Sequence, residues 1–350
     1  MKMASTALRR LLWLPALSLA LAACSGDAPT LISQTERSQA GSHAVAFSPD
    51  NQYLVVADTE ENARLWRLAD NEVIYSWQSM PDAPAMTSLV GFSGDGRFVA
   101  TAEYDTVMLW SVASGEPFNR VQFPFPVRAM ALSPTGNAIL VALTNRTAVY
   151  FDINRNRVVH VFQHDGSNVN SPVDQLINAV AISPDGLYAM TGGDDWTARL
   201  WQLDNGEQLQ IWPHNNSINF LAFHPEQSVV ITAAANGYTH LREYPTGEER
   251  YFLRSSPWPS NLDYPDFPVF LMTTTAVAFS TDGNYMVTGH ANEQLCLWQF
   301  QSGEKISCWK TGRRAALNPG SVVQAVAFSA DGQTIFSESG NGLAEQWQRR

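Results

Sequence analysis

The sequence predicts an all-β fold, a single seven-bladed β-propeller, from three observations. A short apolar run followed by a turn signal recurs seven times along the chain. A Trp-type position follows each run at a nearly fixed distance. The seventh repeat ends before its last strand, while residues 30–34 form an unassigned strand ahead of the first repeat. Four-stranded units of this kind bury their faces only by stacking around an axis, and the spare strand can close the ring.

Each repeat starts with a β-like run that leads into a turn such as Ser183-Pro184-Asp185-Gly186. Proline presets the first corner of such a turn and glycine tolerates positive φ at the last. The final residues of the seven runs are Phe47, Phe92, Leu132, Ile182, Phe223, Phe279 and Phe328. The Trp-type position follows 18 or 19 residues later, at Trp66, Trp110, Phe151, Trp201, Arg242, Trp298 and Trp347. Each repeat therefore supplies four strands, which we label a to d.

The pattern resembles WD40 repeats, and it covers nearly all of the chain from about residue 30. Ala198-Arg199-Leu200-Trp201 matches the third strand of such a repeat, and Trp66, Trp110, Trp298 and Trp347 hold the same place. The resemblance implies a buried network in which an Asp and a loop His support the Trp. Asp195 fits the Asp, and His214 is the expected loop His, in the repeat whose Trp is Arg242. No repeat is expected to hold the full set.

Three segments are predicted along the chain. Residues 1–23 form a removed signal peptide, residues 24–29 a lipidated tether, and residues 30–350 the propeller. The predicted repeat cores are 43–78, 86–123, 127–163, 177–212, 217–254, 273–310 and 321–348, the last completed by 30–34.

The N-terminus is typical of an exported protein. Lys2, Arg9 and Arg10 precede an apolar stretch of 12 residues, which is too short to span a bilayer. The stretch ends in Leu21-Ala22-Ala23-Cys24, which resembles the lipobox of bacterial lipoproteins. The resemblance implies acylation of Cys24, and two or more acyl chains give a stable membrane anchor. In the resembling lipoproteins an Asp after the acylated Cys favours retention in the inner membrane, so the resemblance with Ser25 at this place implies an outer-membrane location facing the periplasm.

The charge disfavours nucleic acid as a partner. Removing Lys2, Arg9 and Arg10, which lie in a segment without Asp or Glu, takes the formal charge from −11 to about −14. Such an acidic surface repels phosphate backbones and anionic headgroups. The expected partners are therefore other proteins, with the membrane contacted through the lipid, and the propeller is expected to be monomeric.

Catalytic and metal-binding motifs are missing from the sequence. There is no phosphate-binding loop, no Cys-x-x-Cys pair and no His-Glu-x-x-His helix. His160 and His164 are four residues apart, but that spacing suits a helix and this stretch reads as a strand. We therefore expect no cofactor, no metal and no enzymatic activity, although a propeller enzyme using the central channel remains the alternative.

Cys296 and Cys308 lie in strands c and d of the sixth repeat, symmetric about the connecting turn. That register places them opposite each other, so in an oxidising periplasm they form a possible disulfide. The alternative is a pair of small packing residues.

The loops between repeats locate the candidate binding surface. Successive Trp-type positions are 44, 41, 50, 41, 56 and 49 residues apart, and the longest insert lies in residues 255–271. In WD40-like propellers these loops share one face with the turns between strands b and c. The candidate partner-binding residues on that face are Trp258, Tyr264, Phe267, Phe270, Trp196, Tyr104 and Tyr238. Exposed aromatic side chains suit protein contact, although the insert could instead cover the ring as a plug.

The sequence thus predicts a membrane-anchored interaction scaffold. The alternatives are a periplasmic enzyme or small-ligand binder that uses the channel, and an accessory role in outer-membrane protein assembly. The last rests only on the shared anchor and general shape of a propeller lipoprotein of the assembly machinery, whose repeats follow another pattern.

Overall fold

Seven antiparallel sheets of four strands each make up the described part of the chain. The structure is a computed structural model, and it describes residues 28–60, 62–78, 86–164, 175–235, 238–254, 273–315 and 320–350. Strand a of each sheet contacts strand a of the next, and the contact of the first with the seventh completes the ring. The predicted all-β, seven-bladed propeller is confirmed.

The blades are numbered in chain order. Blade 1 consists of β2 (Ser42–Phe47), β3 (Tyr53–Asp58), β4 (Asn62–Arg67) and β5 (Glu72–Trp77). Blade 2 consists of β6 (Leu89–Phe92), β7 (Phe98–Glu103), β8 (Thr106–Ser111) and β9 (Pro117–Gln122). Blade 3 consists of β10 (Val127–Leu132), β11 (Ala138–Leu143), β12 (Thr147–Asp152) and β13 (Arg157–Gln163). Blade 4 consists of β14 (Ile177–Ile182), β15 (Tyr188–Gly193), β16 (Thr197–Gln202) and β17 (Gln208–Pro213).

The remaining blades follow the same order. Blade 5 consists of β18 (Ile218–Phe223), β19 (Val229–Ala234), β20 (Tyr238–Glu243) and β21 (Glu249–Arg254). Blade 6 consists of β22 (Thr274–Phe279), β23 (Tyr285–His290), β24 (Gln294–Gln299) and β25 (Lys305–Lys310). Blade 7 consists of β26 (Val323–Phe328), β27 (Thr334–Ser339), β28 (Leu343–Gln348) and the N-terminal β1 (Thr30–Glu36).

The ring is closed by the N-terminal strand, as predicted. Strand β1 pairs antiparallel with β28, from Thr30 opposite Gln348 to Glu36 opposite Leu343. Behind this pairing, the buried Arg37 guanidinium bonds Glu338 at 2.9 Å and lies 5.0 Å from the centre of the Trp66 ring. The pairing covers the β28 edge, which an open ring would leave exposed.

The turns between strands a and b follow the repeated sequence signal. In blade 4 the Ser183 hydroxyl donates to Asp185 at 2.5 Å, the same carboxylate accepts the Leu187 N–H, and Gly186 takes a φ of 72°. Blade 5 lacks this Ser, and His224 Nδ1 there accepts the N–H groups of Glu226 and Gln227. Local side-chain bonds thus fix the hairpin register in different ways.

Apolar side chains pack between adjacent blades to form the core. Leu140 and Phe162 of blade 3 pack with Ile177 and Trp201 of blade 4, and each is under a tenth exposed. Burying one such side chain stabilises the fold by about 1.5–3 kcal/mol. The core of the described residues therefore lies between adjacent sheets.

Strands c and d of blade 6 are joined by a disulfide. Cys296 and Cys308 are register partners across the β24–β25 hairpin, with Cα atoms 4.1 Å apart and the two Sγ atoms bonded. The Cys296 side chain is fully buried between blades. No helix within the described residues is long and apolar enough to cross a membrane.

Candidate functional site

The turns between strands b and c lie on the same side of the ring as the loops that join the blades. Backbone hydrogen bonds tie the two together, for example Val127 N–H to Tyr104 O at 2.7 Å and His214 N–H to Trp196 O at 2.8 Å. We call this side the loop face. The opposite side carries the a–b and c–d turns, which are joined in the same way by Leu203 N–H to Leu187 O, and we call it the turn face.

Two aromatic side chains stand on b–c turns of the loop face. Tyr104 is 72% exposed with a φ of 54°, and Trp196 is partly exposed with a φ of 62°. Gly342, at the place of Trp196 in blade 7, takes a φ of 79°. Glycine adopts this backbone at no steric cost, whereas other residues pay about 1–2 kcal/mol. Tyr104 gains little burial in return for this cost, whereas Trp196 is only partly exposed.

The other aromatic candidates divide into two groups. Tyr238 begins strand c of blade 5 and lines a groove described below. Trp258, Tyr264, Phe267 and Phe270 lie outside the described residues, as does Cys24.

Blade 4 corrects the prediction that no repeat holds the full WD40 network. Trp201 Nε1 donates to Thr191 Oγ1 at 2.8 Å, and the Thr191 hydroxyl meets His164 Nε2 at 2.8 Å. His164 Nδ1 lies 2.9 Å from Asp195 Oδ1. His164, not only His214, therefore acts as a loop His. The prediction failed because the insert after His164 separates it in sequence from the blade that it supports.

The remaining predicted Trp residues differ in their bonds. Trp110, Trp298 and Trp347 donate to Thr101, Thr288 and Ser337 of the neighbouring strand b at 2.9–3.0 Å. Blade 1 has Val56 at that place, and Trp66 Nε1 is buried with no hydrogen-bond partner in the described structure. Its ring instead lies against the Arg37 and Arg64 guanidinium groups.

The electrostatics of the blade 4 network favour an ionised Asp195. Burial raises the pKa of this carboxyl, but the bonds and charge from His164 and the bonds from Thr197 outweigh it and bring the pKa to about 2. Arg199, which is fully buried, adds a 3.0 Å contact to the same carboxylate. The bonds from His164, Thr197 and Arg199 to the Asp195 carboxylate link the loop before blade 4 to its strand c, so this cluster stabilises the blade.

Blade 5 carries the same network with different groups. Arg242 replaces the Trp and donates to Thr232 Oγ1 at 3.1 Å, and Thr232 lies 3.1 Å from His214 Nε2. Burial, with His240 and Arg242 nearby, lowers the pKa of His214 to about 3, so the ring is neutral at physiological pH. Arg242 and His240 both bond Glu249.

A groove opens beside this network, between the end of strand d of blade 4 and strands c and d of blade 5. Its volume is about 350 Å³, and its lining residues are Pro213, His214, Asn215, Tyr238, His240 and Phe252. Phe252 is 53% exposed, and the His214 and His240 rings meet edge to face at 4.8 Å. The sequence showed that Arg242 stands where most of the other repeats have a Trp, but it did not predict the groove.

Glu293, an acidic residue elsewhere on the loop face, forms ion pairs with two basic side chains of the same chain. Hydrogen bonds and charge from Arg313 and Lys310 lower the pKa of Glu293 to about 2, against the opposing effect of burial. Both cations contact its carboxylate at 2.5 Å. Glu293 is therefore part of the loop scaffold.

The central channel holds an apolar cavity of about 400 Å³ near the turn face. Phe47, Phe223, Phe279 and Phe328, each at the end of a strand a, line it together with Pro49 and Pro225. Within the described ranges, no three His, Cys, Asp or Glu side chains are placed to hold one metal ion.

Comparisons with known proteins agree with the repeats. The family described as WD domain, G-beta repeat matches residues 157–202 and 272–299. Target of rapamycin complex subunit LST8 of Bos taurus is 27% identical over 213 residues, which cover 60% of this chain and 59% of that protein. The chain thus spans less than two thirds of that relative's length.

Two further relatives show the same kind of similarity. Protein LST8 homolog of Drosophila pseudoobscura pseudoobscura is 20% identical over 73% of this chain and 76% of its own length. Small ribosomal subunit protein RACK1 of Drosophila melanogaster is 32% identical over 35% of this chain and 37% of its own. These matches confirm the WD40 resemblance.

Proposed function

From a seven-bladed propeller whose repeats resemble WD40 repeats, we propose that this chain is a lipid-anchored scaffold whose loop face binds other proteins in the periplasm. The observation that carries the proposal is Tyr104, which is 72% exposed in a left-handed turn, together with the partly exposed Trp196 in a second left-handed turn. Exposed aromatic side chains are enriched at the centres of protein interfaces. One similar protein is named as a subunit of the target of rapamycin complex, and another as a protein of the small ribosomal subunit.

The predicted anchor fits this use of the loop face. Strand β1 starts at Thr30 beside Gln348, at its turn-face end. Five residues, 25–29, separate Cys24 from Thr30, and the six steps between the two Cα atoms span at most about 20 Å. A lipid on Cys24 would hold the turn face near the membrane and direct the loop face away from it. The Cys296–Cys308 disulfide suits the same oxidising compartment.

Photo-crosslinking in the native cell tests the binding face. A benzoylphenylalanine is placed at Trp196 or Tyr104, with Phe118 as the matched control because it is an aromatic residue, 51% exposed, on strand d of blade 2. We expect protein adducts from the first two positions and few from Phe118. Equal adducts at all three positions, or none on the loop face, contradict the proposal. Outer-membrane assembly proteins among the adducts would support the accessory role.

Metabolic labelling with palmitate tests the anchor. The Cys24→Ser variant is expected to lose the label and to leave the membrane fraction, because acylation at the lipobox needs this thiol. The Cys296→Ser/Cys308→Ser variant is the control and should keep both properties. Label that persists on Cys24→Ser contradicts the anchor without affecting the binding face.

The apolar channel cavity favours small-ligand binding as a second candidate function. A space of about 400 Å³ lined by phenylalanines has the size and lining of a small-molecule site. Native mass spectrometry of the purified protein should then show a bound apolar compound that Phe279→Trp displaces. An unmodified mass in the wild-type protein would exclude this function for the purified state.

A further inference from the structure

The exposed apolar side chains of the loop face gather at blade 2. Most of the large apolar side chains that the structure describes as exposed lie on strands d, as Phe118 does, or on the turn face, as Leu187 does. The three others are Met86, Tyr104 and Phe125, which are 56%, 72% and 43% exposed. All three lie at the loop-face end of blade 2, and we call them the blade 2 patch. Exposed apolar side chains grouped in this way mark interaction sites.

Backbone hydrogen bonds hold Phe125 beside Tyr104. The Tyr104 carbonyl accepts from the Val127 N–H at 2.7 Å. The next carbonyl, that of Asp105, accepts from the Phe123 N–H at 2.8 Å. Phe125 lies midway between these two bonds, so its loop is fixed against the b–c turn that carries Tyr104.

Met86 is held against the same turn from the other end of the blade. The Ser88 N–H donates to the Ala102 carbonyl at 2.9 Å. The Thr87 hydroxyl, directly after Met86, donates to the Glu103 carboxylate at 3.2 Å. Met86 is therefore joined through one side-chain bond to the residue that precedes Tyr104 in the chain.

Two carboxylates without a basic partner border the blade 2 patch. Glu103 is buried, and its Oε1 accepts from Thr87 while its Oε2 has no hydrogen bond. Asp105 is partly exposed and accepts from two neutral side chains, Thr106 at 3.0 Å and Gln122 at 3.3 Å. Neither carboxylate forms an ion pair with any residue that the structure describes.

The surrounding sequence does not neutralise these carboxylates. Residues 79–85, which lie outside the described part of the chain, include Asp82 and no Lys or Arg. Arg128 of the following strand a donates to Asn178 of blade 4 at 2.6 Å. Arg120, on strand d, pairs with neither carboxylate. Apolar surface beside negative charge of this kind complements a basic side chain.

We propose that the blade 2 patch binds a Lys or Arg side chain of a partner protein. The cation would lie against the Tyr104 ring and beside the Asp105 carboxylate, while its aliphatic stem and an apolar neighbour contact Met86 and Phe125. Glu103 would add negative charge from beneath the surface. This inference rests on the proposed partner-binding function and specifies the chemistry of the partner at one part of the loop face.

Selection from a phage-displayed library of random 12-residue peptides on the purified mature protein tests the proposal. We expect the peptides that bind the wild type but not Tyr104→Ser to share a Lys or Arg next to an apolar residue. In a synthetic copy, citrulline in place of that Arg, or acetyl-lysine in place of that Lys, should raise the Kd about fivefold or more, as measured by calorimetry. Asp105→Asn should weaken binding of the charged peptide and have little effect on the uncharged one.

Matched variants keep the test decisive. Asp204→Asn makes the same change at an exposed acid on a c–d turn of the turn face and should leave the Kd unchanged. Phe125→Ser should raise the Kd without removing a core side chain, so it reports on the patch even if Asp105→Asn disturbs the turn. Phe118→Ser is its control, because Phe118 is equally an exposed aromatic of blade 2 but lies on strand d.

Four outcomes overturn the inference. They are Tyr104-dependent peptides without a basic residue, equally tight binding of the charged and uncharged peptides, binding that neither Asp105→Asn nor Phe125→Ser weakens, and the absence of any Tyr104-dependent peptide. Photo-crosslinking at Trp196 and Tyr104 captures a partner of any charge, so failure here is distinguishable from failure of the proposed function.

Discussion

His164 and His214 occupy equivalent places in successive blades but have different partners. Both follow the last core aromatic of a strand d by two residues, Phe162 and Trp212. Counting two residues forward from that aromatic residue identifies both histidines. Counting backward from the next strand a misses His164, because the loop between His164 and that strand is longer than the loop after His214. Local spacing along a strand is thus a safer guide than spacing across a loop of variable length.

The blade 4 network should contribute strongly to stability. His164→Phe leaves the buried Asp195 carboxylate and Thr191 hydroxyl without one bond each, and we expect the free energy of unfolding to fall by about 2–4 kcal/mol. Urea unfolding at pH 7 measures it. His43→Phe, at an exposed site, should change stability by no more than about 0.5 kcal/mol. Equal effects of the two changes would contradict a structural role for His164.

Glu338 should make the stability fall with rising pH. Burial, with a smaller effect of Glu345, raises its pKa to about 7 against the attraction of Arg37. A carboxyl with a raised folded-state pKa stabilises the fold fully below its unfolded pKa near 4.5, and this contribution is lost as the pH rises through about 7.

Comparison of wild type with Glu338→Gln isolates this effect. The variant cannot ionise at this position, so its stability relative to the wild type should increase from pH 5 to pH 8. Chemical unfolding at both pH values gives the difference in the free energy of unfolding. A difference that stays constant with pH would show that Glu338 does not titrate in this range.

At the scale of elements, the hairpins and the closing strand were predictable because local chemistry determines them. The Ser-Asp-Gly turns specify register through bonds within five residues, and a repeat without its strand d requires an outside strand. The groove was not predictable in this way. It lies between the end of strand d of blade 4 and strands c and d of blade 5, so it appears only when two blades are packed side by side.

The β24–β25 hairpin of blade 6 gives a test at this scale. With Cys296 and Cys308 joined, iodoacetamide should label neither thiol in the unfolded mature protein without reductant, and both after reduction. Mass spectrometry of the peptide that contains them reads out the result. Labelling of both cysteines before reduction would mean that the hairpin is held by packing alone.

At the scale of the whole molecule, the two faces of the ring carry different side chains for contact with a partner. The turn face is built from short turns whose carboxylates bond their own backbone, as Asp185 does, and it lies at the end where the proposed tether begins. The loop face carries Tyr104, Trp196 and the blade 5 groove. Anchor and binding surface would therefore lie at opposite ends of the propeller.

The most direct test of this account is the affinity of a crosslinked partner for a loop-face variant. Tyr104→Ser/Trp196→Ser should weaken binding of that partner roughly 30-fold or more, as expected for aromatic residues at an interface centre. Phe118→Ser, an exposed aromatic on a strand d, should leave the affinity unchanged, and all proteins should unfold at similar denaturant concentrations. Undiminished binding by the double variant would contradict the assignment of the loop face as the binding surface.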